Sequence, residues 1–323
     1  MKRYLFYAII CFHFLIATIP GSAEQAVIDE IREAAIQQLS SENLGSGYGA
    51  LINFSVNPDI STATYYVESE GVNEPTINVY RLPLRYIFEL DNSAWSPLVQ
   101  ANFDYLITTA GFDITEAESI DAEWRIFGGS IMFGVEIPVG KNLKVIPVID
   151  AGLMRMESRA DYNGTLSNLI VKPALDGLFF NWDVDAWVMG AGLGVDYRRT
   201  FKNLDFNASG SLSYNYIETY DASNDLLEFD SQVTTFDINV DTVFPTGMSI
   251  SAFPLAVVVT LGNTTFLGPN RGGTGFEYFF EGGLSLEANL SEKNWNLRTL
   301  RLGLKGIYGK DVTGWSLILG YQF

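Results

Sequence analysis

Much of this chain alternates between large apolar and small or polar side chains, one residue at a time, which is the period of a β-strand. In the clearest segment, residues 204–216, one face is mostly leucine and aromatic residues, while the other is aspartate, asparagine and serine. Leu204 and Phe206 stand at one end of the apolar face, and Tyr214 and Tyr216 stand at the other. Aromatic side chains at both ends of such a face are typical of strands that cross a membrane.

The alternation recurs, with varying clarity, along most of the chain. We predict strands at residues 48–56, 80–90, 97–105, 125–137, 145–155, 187–197, 204–216, 233–243, 255–261, 276–290, 297–308 and 315–323. After the first 23 residues, the longest apolar run is 255–261. A membrane helix needs roughly 20 apolar residues, whereas a closed sheet also pairs every backbone group in lipid. The predicted fold class is therefore all-β, a transmembrane antiparallel β-barrel of about 12 strands with a short N-terminal amphipathic helix.

The links between these strands alternate in length and in charge. Short links fall at residues 91–95, 138–144, 198–203, 244–253 and 291–296, and longer ones at 57–75, 109–123, 156–185, 217–232 and 262–275. The short links are mainly basic and the long ones mainly acidic. Bacterial barrels have short periplasmic turns and longer extracellular loops, so the acidic loops are predicted to lie outside. Two interpretations stay open: a solvated surface, or a surface that attracts cations, either as an electrostatic funnel or at sites where hard cations bridge to lipopolysaccharide phosphates.

The chain ends on another alternating segment. Its apolar positions are Trp315, Leu317, Leu319, Tyr321 and Phe323. A terminal phenylalanine on such a strand resembles the assembly signal of bacterial outer-membrane barrels, and this resemblance implies the barrel assembly machinery as a partner. The alternative is the last strand of a soluble sheet.

The N-terminus has a different composition. Lys2 and Arg3 precede an apolar run that ends in small residues, so residues 1–23 are predicted to be a signal peptide. Its removal takes away Cys11 and His13, the only cysteine and histidine. The formal charge then changes from −18 to −20, because two of the 20 bases and none of the 38 acids lie there. We expect no enzyme, no catalytic, metal or cofactor site, and no nucleic-acid partner.

Residues 24–46 carry a helical pattern instead of an alternating one. Apolar residues such as Ile28 and Ile31 recur at helical spacing, and Gly45 offers a stop. One interpretation is a helix that plugs the barrel and turns polar residues to the lumen: Glu30, Arg32, Glu33 and Gln37. The other is a periplasmic arm without a function. The predicted domains are residues 1–23, 24–46 and 47–323.

The polar faces of several strands supply candidates for the lumen. These are Arg81, Arg85, Glu89, Gln100, Asn102, Asp104, Arg301 and Lys305. They would either line a pore or form an ion-pair network that fills and stabilises a closed barrel.

A signal peptide, a short amphipathic helix and a barrel ending in phenylalanine together resemble the translocator domain of autotransporters without a passenger. The chain is similar to the solitary outer membrane autotransporter-like barrels, including residues 81–86 in the second predicted strand. The resemblance implies a monomer in the outer membrane of a Gram-negative bacterium, in contact with its lipid and lipopolysaccharide, with a pore occupied by a helix.

The expected function is accordingly a translocator-like pore occluded by its N-terminal helix. The alternative is a structural or surface-interaction protein that acts through its acidic extracellular loops. In that case the aromatic residues of the loops would contact a partner: Tyr65, Tyr66, Tyr162, Phe179, Phe180 and Trp182.

Overall fold

A computed structural model describes residues 21–38, 41–56, 62–69, 72–90, 93–202, 204–251, 253–290 and 299–322. Within these ranges, twelve antiparallel strands close into one barrel. Each strand pairs with its neighbours in sequence, and β1 pairs with β12 to close the ring. The predicted fold class and strand number are confirmed. The predicted signal peptide up to residue 20 and Phe323 lie outside the described ranges.

The strands range from five to 21 residues in length. They are β1 Ala63–Val67, β2 Asn73–Ile87, β3 Ser96–Thr115, β4 Glu118–Pro138, β5 Leu143–Asn163, β6 Trp182–Phe201, β7 Leu204–Ala222, β8 Asp230–Ile250, β9 Phe253–Leu267, β10 Tyr278–Asn289, β11 Thr299–Gly309 and β12 Val312–Gln322. Among the described residues, two helices precede them, α1 Gly21–Gln38 and α2 Ser41–Val56. The link from β5 to β6 holds a π-helical turn, Ser167–Val171, and a short helix, α3 Lys172–Leu175. A 3₁₀ turn, Asp225–Leu227, lies between β7 and β8.

The two ends of the barrel differ. At one end, called the loop end, β5 joins β6 through residues 164–181 and β9 joins β10 through residues 268–277. At the other, called the turn end, β6 joins β7 through residues 202–203 and β8 joins β9 through residues 251–252. No helix among the described residues is long and apolar enough to cross a membrane.

An exposed apolar belt surrounds the part of the barrel nearer the turn end. In β4, for example, Phe127, Ile131 and Phe133 point outward and are exposed. Closer to the loop end, the inner face of the same strand is apolar and the outer face is polar. There Ile120 and Trp124 are buried inside, and charged residues such as Asp121 face solvent. The barrel therefore continues beyond its apolar belt as a water-facing crown with an apolar interior.

The crown explains why one predicted loop is wrong. Residues 109–123 form no long loop, because β3 and β4 run through them and turn at residues 116–117. The outer face of these strands carries polar side chains. The sequence therefore lacks the outward apolar residues by which a lipid-facing strand is recognised. The alternation itself persists, with Phe112 and Ile114 buried and Asp113 exposed.

The first predicted strand is also wrong. Residues 48–56 belong to helix α2, and the first strand is Ala63–Val67. Every described side chain from residue 47 to residue 54 is buried. A segment buried on all sides has no preferred period, so its chance alternation resembled a strand.

Candidate functional site

Helix α2 lies within the barrel, against β3, β4, β7 and β8. At its middle, the Tyr48 ring packs edge-on against Trp182 with ring centroids 4.9 Å apart. Near its end, Phe54 meets the rings of Tyr65 and Phe276 at 4.9 and 5.8 Å. Burial raises the pKa of the Tyr48 phenol well above its ordinary value, so this side chain stays uncharged. The helix is thus part of the apolar core that fills the crown.

One polar side chain of α2 is hydrogen-bonded on both sides. The Asn53 amide nitrogen donates to the Thr235 hydroxyl at 3.2 Å, and the Asn215 amide nitrogen donates to the Asn53 oxygen at 2.7 Å. Asn53 and Thr235 are fully buried, and Asn215 is nearly so. These bonds join α2 to β7 and β8 and specify its position along the barrel axis.

A glycine allows the helix to approach the barrel wall. A Cβ atom at Gly49 would overlap the side chain of Ser231 at the start of β8. Any larger residue at this position would have to displace either the helix or the strand.

Helix α1, which corresponds to most of the predicted plug segment, lies elsewhere. Its buried residue Ile28 packs with Ile170 and Ala174 of the link between β5 and β6, at the loop end. Arg32 donates a hydrogen bond to the carbonyl oxygen of Ala174 at 3.4 Å. The apolar stripe of α1 therefore packs on the link between β5 and β6, and not on the inner wall of the barrel.

The polar residues chosen for the lumen side of this helix do not face the lumen. Glu30 and Glu33 are exposed, and the side chain of Gln37 lies outside the described set. The prediction that residues 24–46 insert as the plug is corrected: the helix inside the barrel is Ser41–Val56.

Most of the predicted lumen residues form a buried polar layer. Arg81 Nε lies 2.5 Å from the Asp104 carboxylate, and their side chains are 2% and 0% exposed. Gln100 donates to Asn102, which donates to Ser130, at 2.7 and 3.0 Å. A second ion pair joins Lys305 and Glu281 at 3.1 Å, also with little exposure.

The other predicted lumen residues line a cavity of about 1310 Å³ near the turn end. Arg85 and Glu89 belong to its wall, as does Arg301. Its charged groups include two chains of ion pairs. Glu136 lies between Arg85 at 3.0 Å and Lys144 at 2.5 Å, and Arg301 lies between Asp241 at 2.6 Å and Glu287 at 2.9 Å.

Sequence reasoning missed the acidic members of these chains and the residues of α2. Glu136, Asp241 and Glu287 do occupy inward positions of β4, β8 and β10, but only the strand register shows which base each one meets. For α2, the glycines at 45, 47 and 49 were the available signal of close packing.

The predicted assembly strand is β12. Within it, Trp315 and Leu319 are exposed in the apolar belt, and Leu317 is half-buried. The side chain of Tyr321 lies outside the described set, like Phe323.

Two solved structures share this architecture. The translocator domain of the autotransporter NalP from Neisseria meningitidis matches with a TM-score of 0.50 and 10% identity, covering 93% of this chain and 98% of that chain. The transport unit of the autotransporter AIDA-I from Escherichia coli matches with a TM-score of 0.52 and 9% identity, covering 87% of this chain and 99% of that one. At such identities the likeness shows the fold alone. No curated protein matches the sequence significantly.

The family comparison covers most of the chain. The family described as the solitary outer membrane autotransporter β-barrel domain matches residues 68–323. Together with the closed twelve-stranded barrel, this match places the protein in the outer membrane of a Gram-negative bacterium as a multi-pass barrel. Because bacterial barrels have short periplasmic turns and longer extracellular loops, we expect the loop end to be extracellular and the turn end periplasmic. The chain belongs to the family of solitary outer membrane autotransporter β-barrels.

Proposed function

We propose that this protein is a monomeric translocator-like pore that helix α2 closes from the extracellular side. The observation that carries the proposal is the complete burial of residues 47–54 among inward side chains of the crown. A helix packed in this way leaves no room for water or a solute beside it.

The lumen then consists of three successive layers. The extracellular layer is the apolar core around α2, where aromatic rings such as Phe54 and Phe279 are in contact. Below it comes the buried polar layer around Arg81 and Asp104. The periplasmic layer is the cavity lined by Arg85 and Arg301.

These layers give different roles to the predicted lumen residues. Arg81, Asp104 and Lys305 are proposed to stabilise the closed barrel, because each is paired and almost inaccessible. Arg85 and Arg301 are proposed to line a vestibule that is reached from the periplasm. Removing α2 would open the top of this vestibule.

The alternative, a surface-interaction protein, has less support. Of the loop aromatic residues that would contact a partner, Tyr66 is exposed and Phe179 is half-buried, but the other four are buried in the core: Tyr65, Tyr162, Phe180 and Trp182. Glu118, one of the loop acids, accepts hydrogen bonds from the backbone N–H groups of Leu166 and Ser167. These buried side chains hold the crown together and are not free for a partner.

The proposal is tested by comparing the conductance of two refolded proteins in planar bilayers, the chain from residue 24 and a chain from residue 57. The longer protein should be closed and the shorter one should conduct. The shift between folded and heat-denatured bands on gels is the control for folding of both. If both fold and neither conducts, the side chains of the barrel fill the lumen unaided and the helix is not the plug.

A further inference from the structure

The outward face of β6 carries an arginine at its periplasmic end. Leu193 and Val195 are exposed in the apolar belt, and the same face continues through Tyr197 and Arg199 to Phe201. The Arg199 guanidinium carbon lies 4.6 Å from the centre of the Phe201 ring. A cation over an aromatic face is stabilised at an interface between water and an apolar phase.

A third ring completes the surroundings of Arg199. The register pairs Arg199 with Phe206 of β7, so that this ring lies across the strand pair on the same face. Phe206 lies 6.4 Å from both Tyr197 and Phe201, measured between ring centroids. Arg199 is thus a single charge among three aromatic side chains that face the membrane.

The position along the strand matches the lipid headgroups of the periplasmic leaflet. At the extracellular side of the belt, Trp187 of β6 and Tyr216 of β7 form a ring pair at 5.3 Å. From Trp187 to Tyr197 the strand advances by about 33 Å, which at the usual tilt is about 25 Å across the membrane. Arg199 comes just after this span, where phosphate groups are found.

No carboxylate balances this charge within the part of the chain that the structure describes. Arg155, which lies on the outward face at the extracellular side, contrasts with it. Its guanidinium contacts Asp183 at 2.7 Å, Asp185 at 3.2 Å and Glu157 at 3.4 Å. The exposed residue Lys202, in the adjoining turn, adds a further positive charge at this end of the barrel.

We propose that Arg199 and Phe201 form a binding site for the phosphate of an anionic phospholipid in the periplasmic leaflet. The guanidinium donates paired hydrogen bonds to phosphate oxygens, and the three rings contact the glycerol and the upper acyl chains. The Arg199 side chain projects from the outward face of β6, although the residue also contributes to the rim of the cavity at the turn end.

The test uses the refolded chain from residue 24 and native mass spectrometry, with phosphatidylglycerol and phosphatidylcholine as competing lipids. The wild type should retain phosphatidylglycerol preferentially, and Arg199→Gln should reduce that preference about five-fold. Phe201→Leu should reduce it less, since the charge remains. Excess inorganic phosphate should not displace the lipid, because free phosphate lacks the acyl chains that the rings contact.

The matched control is Arg198→Gln. Arg198 is the neighbouring residue on the same strand, but its side chain projects from the opposite face and lies 3.8 Å from Asp196. The Arg198→Gln variant should retain the lipid preference of the wild type. An equal loss of phosphatidylglycerol preference in both variants would show that the basic residues at the periplasmic end attract the lipid without a specific site. An unchanged preference in Arg199→Gln would exclude the site. Either result overturns the proposal, and displacement by inorganic phosphate would reassign the site to a free anion.

Discussion

Arg81 and Asp104 show what a single contact contributes inside this barrel. Both side chains are buried, so the pair loses the hydration that each ion has in water. Such a pair adds little net stability compared with two apolar residues, but removing one partner leaves the other charge buried. One oxygen of Asp104, Oδ2, already lacks a hydrogen bond within the described structure.

We expect Arg81→Met to lower the free energy of unfolding by about 3–5 kcal/mol, because Asp104 loses the cation beside it. The double variant Arg81→Met, Asp104→Leu should recover most of this loss. Urea titration in lipid vesicles measures both changes. Arg125→Met is the control, because it breaks an exposed pair with Glu123 and should have little effect. A double variant less stable than Arg81→Met would contradict this account.

At the level of elements, α2 depends on the barrel for its helical structure. Its sequence contains glycines at 45, 47 and 49, which disfavour a helix, and its length is only 16 residues. Packing against β3, β4, β7 and β8 compensates for these costs. Its conformation is therefore a property of the folded barrel and not of the segment alone.

A peptide of residues 41–56 should accordingly show no helical circular dichroism in water. The matched peptide of residues 21–38, which contains one glycine, should show more helix under the same conditions. A stable helix in the 41–56 peptide would mean that local propensity, and not the barrel, specifies this element.

The sequence could predict only those elements whose pattern is contained within the segment itself. Strands in the apolar belt, such as β7, carry two contrasting faces and were identified from alternation alone. In the crown the contrast is reversed, so parts of β3 and β4 were assigned to a loop. The polarity of Arg81 and Asp104 indicated the inner face, but their contact depends on the register between β2 and β3. Periodicity within a segment contains no information about that register.

At the scale of the whole molecule, the packing of α1 at the loop end predicts that this helix lies outside the cell. This helix lies on the loop between β5 and β6, so the segment before the barrel reaches the extracellular side.

A cysteine at Glu33, an exposed position of α1, should react with a membrane-impermeant maleimide on intact cells. The control is a cysteine at Lys141, an exposed position in a turn of the periplasmic end, which should react only after the outer membrane is permeabilised. The mature chain should give no background, since Cys11 lies in the predicted signal peptide. Protection of position 33 on intact cells would place α1 in the periplasm.

The most direct test of the central claim, that α2 occludes the pore, is the single-channel conductance of Gly49→Leu. The added side chain has no room beside Ser231, so it should unseat the helix and produce open events in a barrel that remains folded. Gly272→Leu, at a loop position with open space around it, is the matched control and should stay closed. The account predicts conductance in the first variant only. A folded Gly49→Leu barrel that is as silent as its control would contradict it.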